Sequence, residues 1–186
     1  MILFIDTHDS LITIALKTKS KLFIKTQESE YSHSIYVMPM IKDLFEENKQ
    51  NIKDLTQIIV VNGPGSFTGI RIGLSIAKTI AYALNIKINT ISSLTAYLVS
   101  SDLDCDKMAV IEDNKGYYIS VFDKDNKPVI EEFYSEQNDY SGKYLEVKHV
   151  IDVNKIVEYV SNIESENPHF IKANYIKKIE VEKWVY

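Results

Sequence analysis

What this chain has least of is arginine. Among its 21 basic residues only Arg71 is one, and the formal net charge is −5. A free-standing nucleic-acid binder needs a basic stripe, and the composition supplies none. Cysteine is as scarce. Cys105 stands alone, which rules out an internal disulfide framework and a cysteine-cluster metal site and suits a reducing cytoplasm. The histidines, His8, His33, His149 and His169, never come at metal-ligand spacing and read as surface or capping residues. Long uninterrupted apolar runs are missing too. The opening MILFID meets a charge at Asp6, so it reads as a strand rather than a signal peptide. Hydrophobic residues make up 45% and charged residues 25% of 186. That balance allows a sizeable core in one domain or two small lobes.

Glycine is sparse, with six residues, but four of them crowd into one stretch at Gly63, Gly65, Gly69 and Gly73. Ile58–Val61 reads as a buried strand, Asn62–Phe67 as a turn shaped by Gly63, Pro64 and Gly65, and Thr68–Leu84 as a helix capped by Ser66 or Thr68. Strand, glycine turn and helix outline many anion-binding loops. The spacing fits neither common one. Gly65 and Gly69 are followed by Ile70-Arg71, not Lys-Ser/Thr, and Thr68 stands where a dinucleotide loop needs glycine. A structural turn that starts a packing helix is the better reading.

On that helix Gly69, Gly73, Ala77 and Ala81 recur every fourth residue and form a smooth strip. With Ile70, Ile72, Leu74, Ile76, Ile80 and Leu84 the apolar arc covers roughly 200°, about twice what packing on one sheet requires. Two buried faces are implied, the second covered by a helix of this chain or of a partner. Gly69-x-x-x-Gly73 is also a membrane-dimer pattern. Arg71 and Lys78 oppose that reading, at ~2.5–3.5 kcal/mol each on the insertion scale.

Ile2–Ile5, Leu11–Leu16 and Leu22–Lys25 read as antiparallel strands. Tyr31–Asn48 follows as a helix with Val37, Met38, Met40, Ile41, Leu44 and Phe45 on its apolar stripe. Lys87–Ile91 is a strand, and Ser92 or Ser93 caps a third helix through Val99. This order, β-β-β-α-β-α-β, predicts an α/β protein of the actin-like, ribonuclease-H-like ATPase fold with mixed sheets. The polar stretch 101–106 suits a boundary. Residues 1–102 are then a first lobe and 103–186 a smaller second one. In the second, Met108–Ile111, Tyr117–Phe122 and Val129–Tyr134 form a meander, with one more strand at Leu145–Val150. Asp152 caps a helix through Ile163 that Pro168 stops, and Phe170–Tyr186 is an alternating tail containing Trp184.

Asp6 ends the first strand, where an actin-like ATPase keeps the aspartate that orients its metal and water. There a glycine hairpin follows; here Thr7-His8-Asp9-Ser10 does, and Asp9 would repel a phosphate. No second glycine loop follows Met108–Ile111, and Asp113 reads as a turn residue. A degenerate actin-like kinase lacks its phosphate glycines, and a metallo-transferase lacks its paired histidines. Both remain as the rival enzyme classes.

Gly63–Leu84 resembles the signature of the TsaB (YeaZ) family. Ile5-Asp6-Thr7, His33-Ser34 with Met38-Pro39-Met40-Ile41, and Ser92-Ser93-Leu94 resemble that family's opening strand, first helix and third-helix start. Asp113 with Tyr117 or Tyr118, and Pro168–Lys172, match more loosely. The resemblance implies an accessory protein for threonylcarbamoyladenosine formation in tRNA, with no cofactor, metal or catalytic residue of its own. Its implied partners are the larger paralogue TsaD and the ATPase TsaE, with tRNA contacted only indirectly; a homodimer through the same helices is the alternative. The partner face expected is Gly69, Arg71, Gly73, Ala77 and Ala81 with His33, Val37, Met38 and Ile41.

Overall fold

A computed structural model describes residues 1–29 and 33–177. The first sheet takes β1 (Ile2–Asp6), β2 (Leu11–Lys17), β3 (Leu22–Glu28), β4 (Gln57–Val61) and β5 (Lys87–Ile91) in the order β3-β2-β1-β4-β5. β1 pairs antiparallel with β2 and parallel with β4, so the sheet is mixed. That order, with its antiparallel meander first, is the actin-like α/β arrangement the sequence predicts.

Strand alternation decides what lies on each face. Leu3 and Ile5 of β1 and Ile58 and Val60 of β4 point one way, into a core completed by α1 (His33–Glu47) and α2 (Phe67–Leu84). Phe4, Ile59 and Val61 point the other way, against α3 (Ser93–Ser100) and α4 (Val153–Val160). α4 presents Val153, Ile156 and Val160 on one face. The second sheet, β6 (Lys107–Asp113), β7 (Gly116–Phe122), β8 (Pro128–Ser135) and β9 (Leu145–Glu146), runs β8-β7-β6-β9. Ala109 and Phe122 join the cluster around α3 and α4, so one apolar core ties the two sheets together. No helix among the described residues is long and apolar enough to cross a membrane.

Several boundaries differ from expectation. The segment before β4 forms a 3-10 turn at Ile52–Asp54, with Asn51 accepting from the Lys53 amide. β3 extends three residues further and β9 is only two residues long. Pro168 does not stop α4. That helix ends at Val160, where the Ser161 hydroxyl donates to the Glu158 carbonyl at 2.7 Å. Residues 166–177, expected to belong with the second sheet, return to the first sheet. Glu166 bridges to Ile88 on the edge of β5, and Ile171 is buried in the core beneath α1 and α2. Tyr31 and Trp184 lie outside the described residues.

Candidate functional site

Two regions compete for the functional role: the buried polar cluster at the C-terminal end of β1, and the outward surface of α1 and α2. Asp6 is buried, and its Oδ1 accepts from the His8 amide at 3.1 Å and lies 2.6 Å from His8 Nδ1. His8 Nε2 is 2.8 Å from the Tyr97 hydroxyl, and the Tyr97 ring stacks on His149 with centroids 4.6 Å apart. His149 Nε2 meets the Val110 carbonyl at 2.7 Å. Burial alone would lower the His8 pKa, but Asp6, through charge and hydrogen bond, and Asp9 outweigh it and raise it. Burial, followed by Asp6 and Asp9, pushes the Tyr97 hydroxyl well above the ordinary phenol range. His8 and His33 are therefore core residues, contrary to the surface reading; His33 Nε2 sits 2.7 Å from the Asp9 carbonyl.

The glycine turn packs on this loop. Gly63 has φ 102° and Gly65 φ 149°, conformations that side chains rarely adopt. The Ser66 amide donates to the His8 carbonyl at 2.7 Å, and a Cβ on Gly65 would collide with that same carbonyl oxygen. Of the two expected caps, Ser66 is the one used, accepting from the Gly69 amide at 3.2 Å. A phosphate-binding β1 loop needs open backbone amides, and here the His8 amide is taken by Asp6 and the Ser66 amide by the His8 carbonyl. Among the described residues no three His, Cys, Asp or Glu side chains come together as a metal cage. Asp113 pairs with Lys177 at 2.8 Å; that hydrogen bond, ahead of the other influences, holds its carboxyl below the usual range.

The helical surface needs a correction. Gly69, Gly73, Ala77 and Ala81 are all buried and face the chain's own sheet. A Cβ on Gly69 would strike the Thr7 carbonyl, and one on Gly73 the Thr7 hydroxyl, which donates to the Gly69 carbonyl at 2.7 Å. The smooth strip exists so that α2 can lie close to the end of β1. His33, Val37 and Ile41 are likewise buried, on the side of α1 that faces the core. Of the nine expected partner residues only Met38, 48% exposed, and Arg71 reach solvent.

The surface left open is the next stripe round. Ile35 and Met38 of α1 and Phe67 of α2 are exposed. Between the helices lies a groove of about 490 Å³ lined by Ser34, Phe67, Thr68, Arg71, Ile72, Ser75 and Ile76. The Arg71 guanidinium carbon stands 3.6 Å over the Phe67 ring, and its Nε donates to the Tyr175 hydroxyl at 3.0 Å. Sequence reasoning missed Tyr175 and its neighbours. Asn174 donates from its amide to the Asn62 carbonyl and from its side chain to Glu132. The Pro168–Lys172 resemblance was the available signal, but it carried no information on where that segment docks.

The fold and the two surfaces define a class: an actin-like α/β protein of two mixed sheets, with a buried Asp6–His8 pair at the end of β1 and an open, partly apolar helical face. The family model described as TsaD, tRNA N6-adenosine threonylcarbamoyltransferase, matches residues 24–139. The TsaB tRNA threonylcarbamoyladenosine biosynthesis protein of Bacillus subtilis is 38% identical over 94 residues, covering 50% of this chain and 41% of that one. The tRNA N6-adenosine threonylcarbamoyltransferase of Campylobacter curvus is 32% identical over 120 residues, 57% of this chain and 35% of that one. The matched stretch thus spans less than half of these curated relatives. YeaZ from Pseudomonas aeruginosa superposes with a TM-score of 0.82 at 16% identity, over 94% of this chain and 98% of that one. The chain belongs to the TsaD family, and within it to the TsaB (YeaZ) branch.

Proposed function

We propose that this chain is a non-catalytic accessory subunit that binds the TsaD transferase and supports formation of N6-threonylcarbamoyladenosine beside the anticodon of tRNA. The observation that carries this reading is the contrast between the two surfaces. The aspartate at the end of β1 is buried against His8, while the face around Phe67, Arg71 and Met38 stands open. An apolar groove with one planar cation suits a protein partner. Because the matching family model is that of the transferase itself, the natural occupant is a paralogue offering the same two helices, in a pseudo-symmetric pairing. The same patch can close a homodimer. TsaE would join the paired complex, tRNA would be touched only indirectly, and the work would be done in the cytoplasm.

The test is co-purification with TsaD and TsaE from the same source, followed by tRNA modification with and without this chain. Wild type should be required for full modification and should bind no Mg-ATP tightly when alone. Phe67→Asp should abolish the pairing yet melt like wild type, because Phe67 is half out in solvent. Modification that proceeds equally well without the chain, or ATP turnover that depends on Asp6, would sink the proposal.

A further inference from the structure

Arg71 is the one arginine in the chain, and its guanidinium makes two contacts within the chain. The Phe67 ring lies under the guanidinium, and the Tyr175 hydroxyl accepts from Nε. Tyr175 belongs to a strap, residues 166–177, that crosses the first lobe from the edge of β5. The Thr90 amide donates to the Glu166 carboxylate at 2.9 Å, Lys78 Nζ donates to the Ile171 carbonyl at 3.2 Å, and the Asn174 amide donates to the Asn62 carbonyl at 2.8 Å. The strap's far end is fixed on the second lobe. Lys177 Nζ pairs with Asp113 at 2.8 Å and donates to the Tyr134 hydroxyl at 3.0 Å, and Asn174 Nδ2 donates to Glu132 at 2.7 Å.

We infer that Tyr175 is a positioning residue for the docking face: by occupying Nε, it leaves Arg71 only its two terminal nitrogens for a partner carboxylate. A guanidinium can take a carboxylate side-on, through Nε and one terminal nitrogen, or end-on, through both terminal nitrogens. With Nε committed to Tyr175, the side-on mode is closed. Among the described residues the terminal nitrogens make no hydrogen bond, and the groove beside them is open. The partner therefore presents an Asp or Glu end-on to Arg71, at an angle set by the strap. Stacking on Phe67 and the bond to Tyr175 also remove the rotamer freedom that such a long side chain would otherwise lose on binding. This inference rests on the docking reading above and adds the residue that sets its geometry.

Because the chain has a single arginine, 15N-arginine labelling gives one Nε–H signal without assignment. In the free chain that signal should be slow to exchange with water, and Tyr175→Phe should shift it and speed its exchange. Binding of the transferase paralogue should leave the Nε–H shift near its free value and slow rotation of the terminal nitrogens. Tyr175→Phe should weaken binding about 2- to 10-fold, the loss of one pre-ordered side chain. Arg71→Lys, which cannot offer the fork, should weaken it as much as Arg71→Ala does. Tyr175 is 54% exposed, so the conservative variant leaves the fold intact. An Nε–H signal indifferent to Tyr175→Phe overturns the inference while the docking reading stands. So does a large Nε–H shift on complex formation. If Nε–H depends on Tyr175 but the wild-type chain binds no transferase, the docking reading itself fails, and the carboxylate assignment with it.

Discussion

Gly69→Ala separates the two meanings of the small-residue strip. If the strip were a partner face, adding a methyl would leave the isolated chain folded and act only on association. Buried against β1, it must act on folding. The new Cβ would lie inside the contact distance of the Thr7 carbonyl oxygen, which belongs to rigid backbone. Ordinary C···O approaches are ~3.3–3.6 Å, so α2 would have to back away by on the order of 1 Å. Overpacking of this kind costs about 1–3 kcal/mol. Backing away also stretches the 2.7 Å bond from the Thr7 hydroxyl to the Gly69 carbonyl, worth about 1 kcal/mol. Against this, alanine gains about 0.8–1.0 kcal/mol in helix propensity over glycine. The net loss is about 1–3 kcal/mol, a fall in Tm of about 2–12 °C for a chain of this size. Urea unfolding of the isolated chain, with Thr79→Ala on the exposed face as control, measures it. A Gly69→Ala variant as stable as wild type would refute the burial argument.

Gly65→Ala should destabilise by more than the ~0.4–1 kcal/mol an alanine gains at a compatible site, because φ 149° is strained for it and the His8 carbonyl blocks its methyl; unchanged melting would show otherwise. The raised pKa of His8 means the folded chain holds that proton more tightly than the unfolded one. Its contribution is therefore full below about pH 6.5 and is lost as pH rises through the raised folded value. His8→Gln should flatten this limb in urea midpoints taken from about pH 5.5 to 8.5, and parallel profiles would contradict it. Asp152→Ala removes the acceptor for the Asn154 and Lys155 amides and should cost about 1 kcal/mol, read from the same midpoints; a value near zero would mean that water replaces the cap.

The elements with strong local signals were legible. The apolar run Ile58–Val61, a hydroxyl cap at the start of α2 and of α3, and the meander of the second sheet all follow from short-range chemistry, and each is present, the caps being Ser66 and Ser92 of the two candidates offered for each. Contacts of high sequence separation were not legible. Nothing at His8 announces that it will be buried between Asp6 and Tyr97, because the pairing depends on a residue 89 positions away. The strip Gly69–Gly73–Ala77–Ala81 was visible as a close-approach surface, but periodicity says only that something comes near. Whether that something is Thr7 or a partner's backbone is set by the sheet order, which brings the end of β1 under the start of α2.

The width of the apolar arc on α2 has an answer of the same kind. Roughly 200° of apolar surface is about twice what packing on one sheet requires. Ile70, Leu74 and Ala77 enter the core beneath the sheet, Gly73 lies against Thr7 and Ile5, and α1 packs alongside in the same core. Part of the remainder is covered by this chain's own strap, through Ile171 in the core and Lys78 on the Ile171 carbonyl. What the strap leaves uncovered is Phe67 with the half-buried Ile72 and Ile76, and these residues line the open groove. The surplus therefore divides between an intramolecular cover and an open stripe, and the two meet at Tyr175. Shortening the strap would enlarge the open stripe but release Arg71. A chain truncated after residue 167 should bare the apolar flank of α2 and self-associate more, while losing selectivity for a partner that offers a carboxylate. Sedimentation of the truncated chain against the full one measures the first effect, and unchanged monomer content would show that the strap covers nothing of consequence.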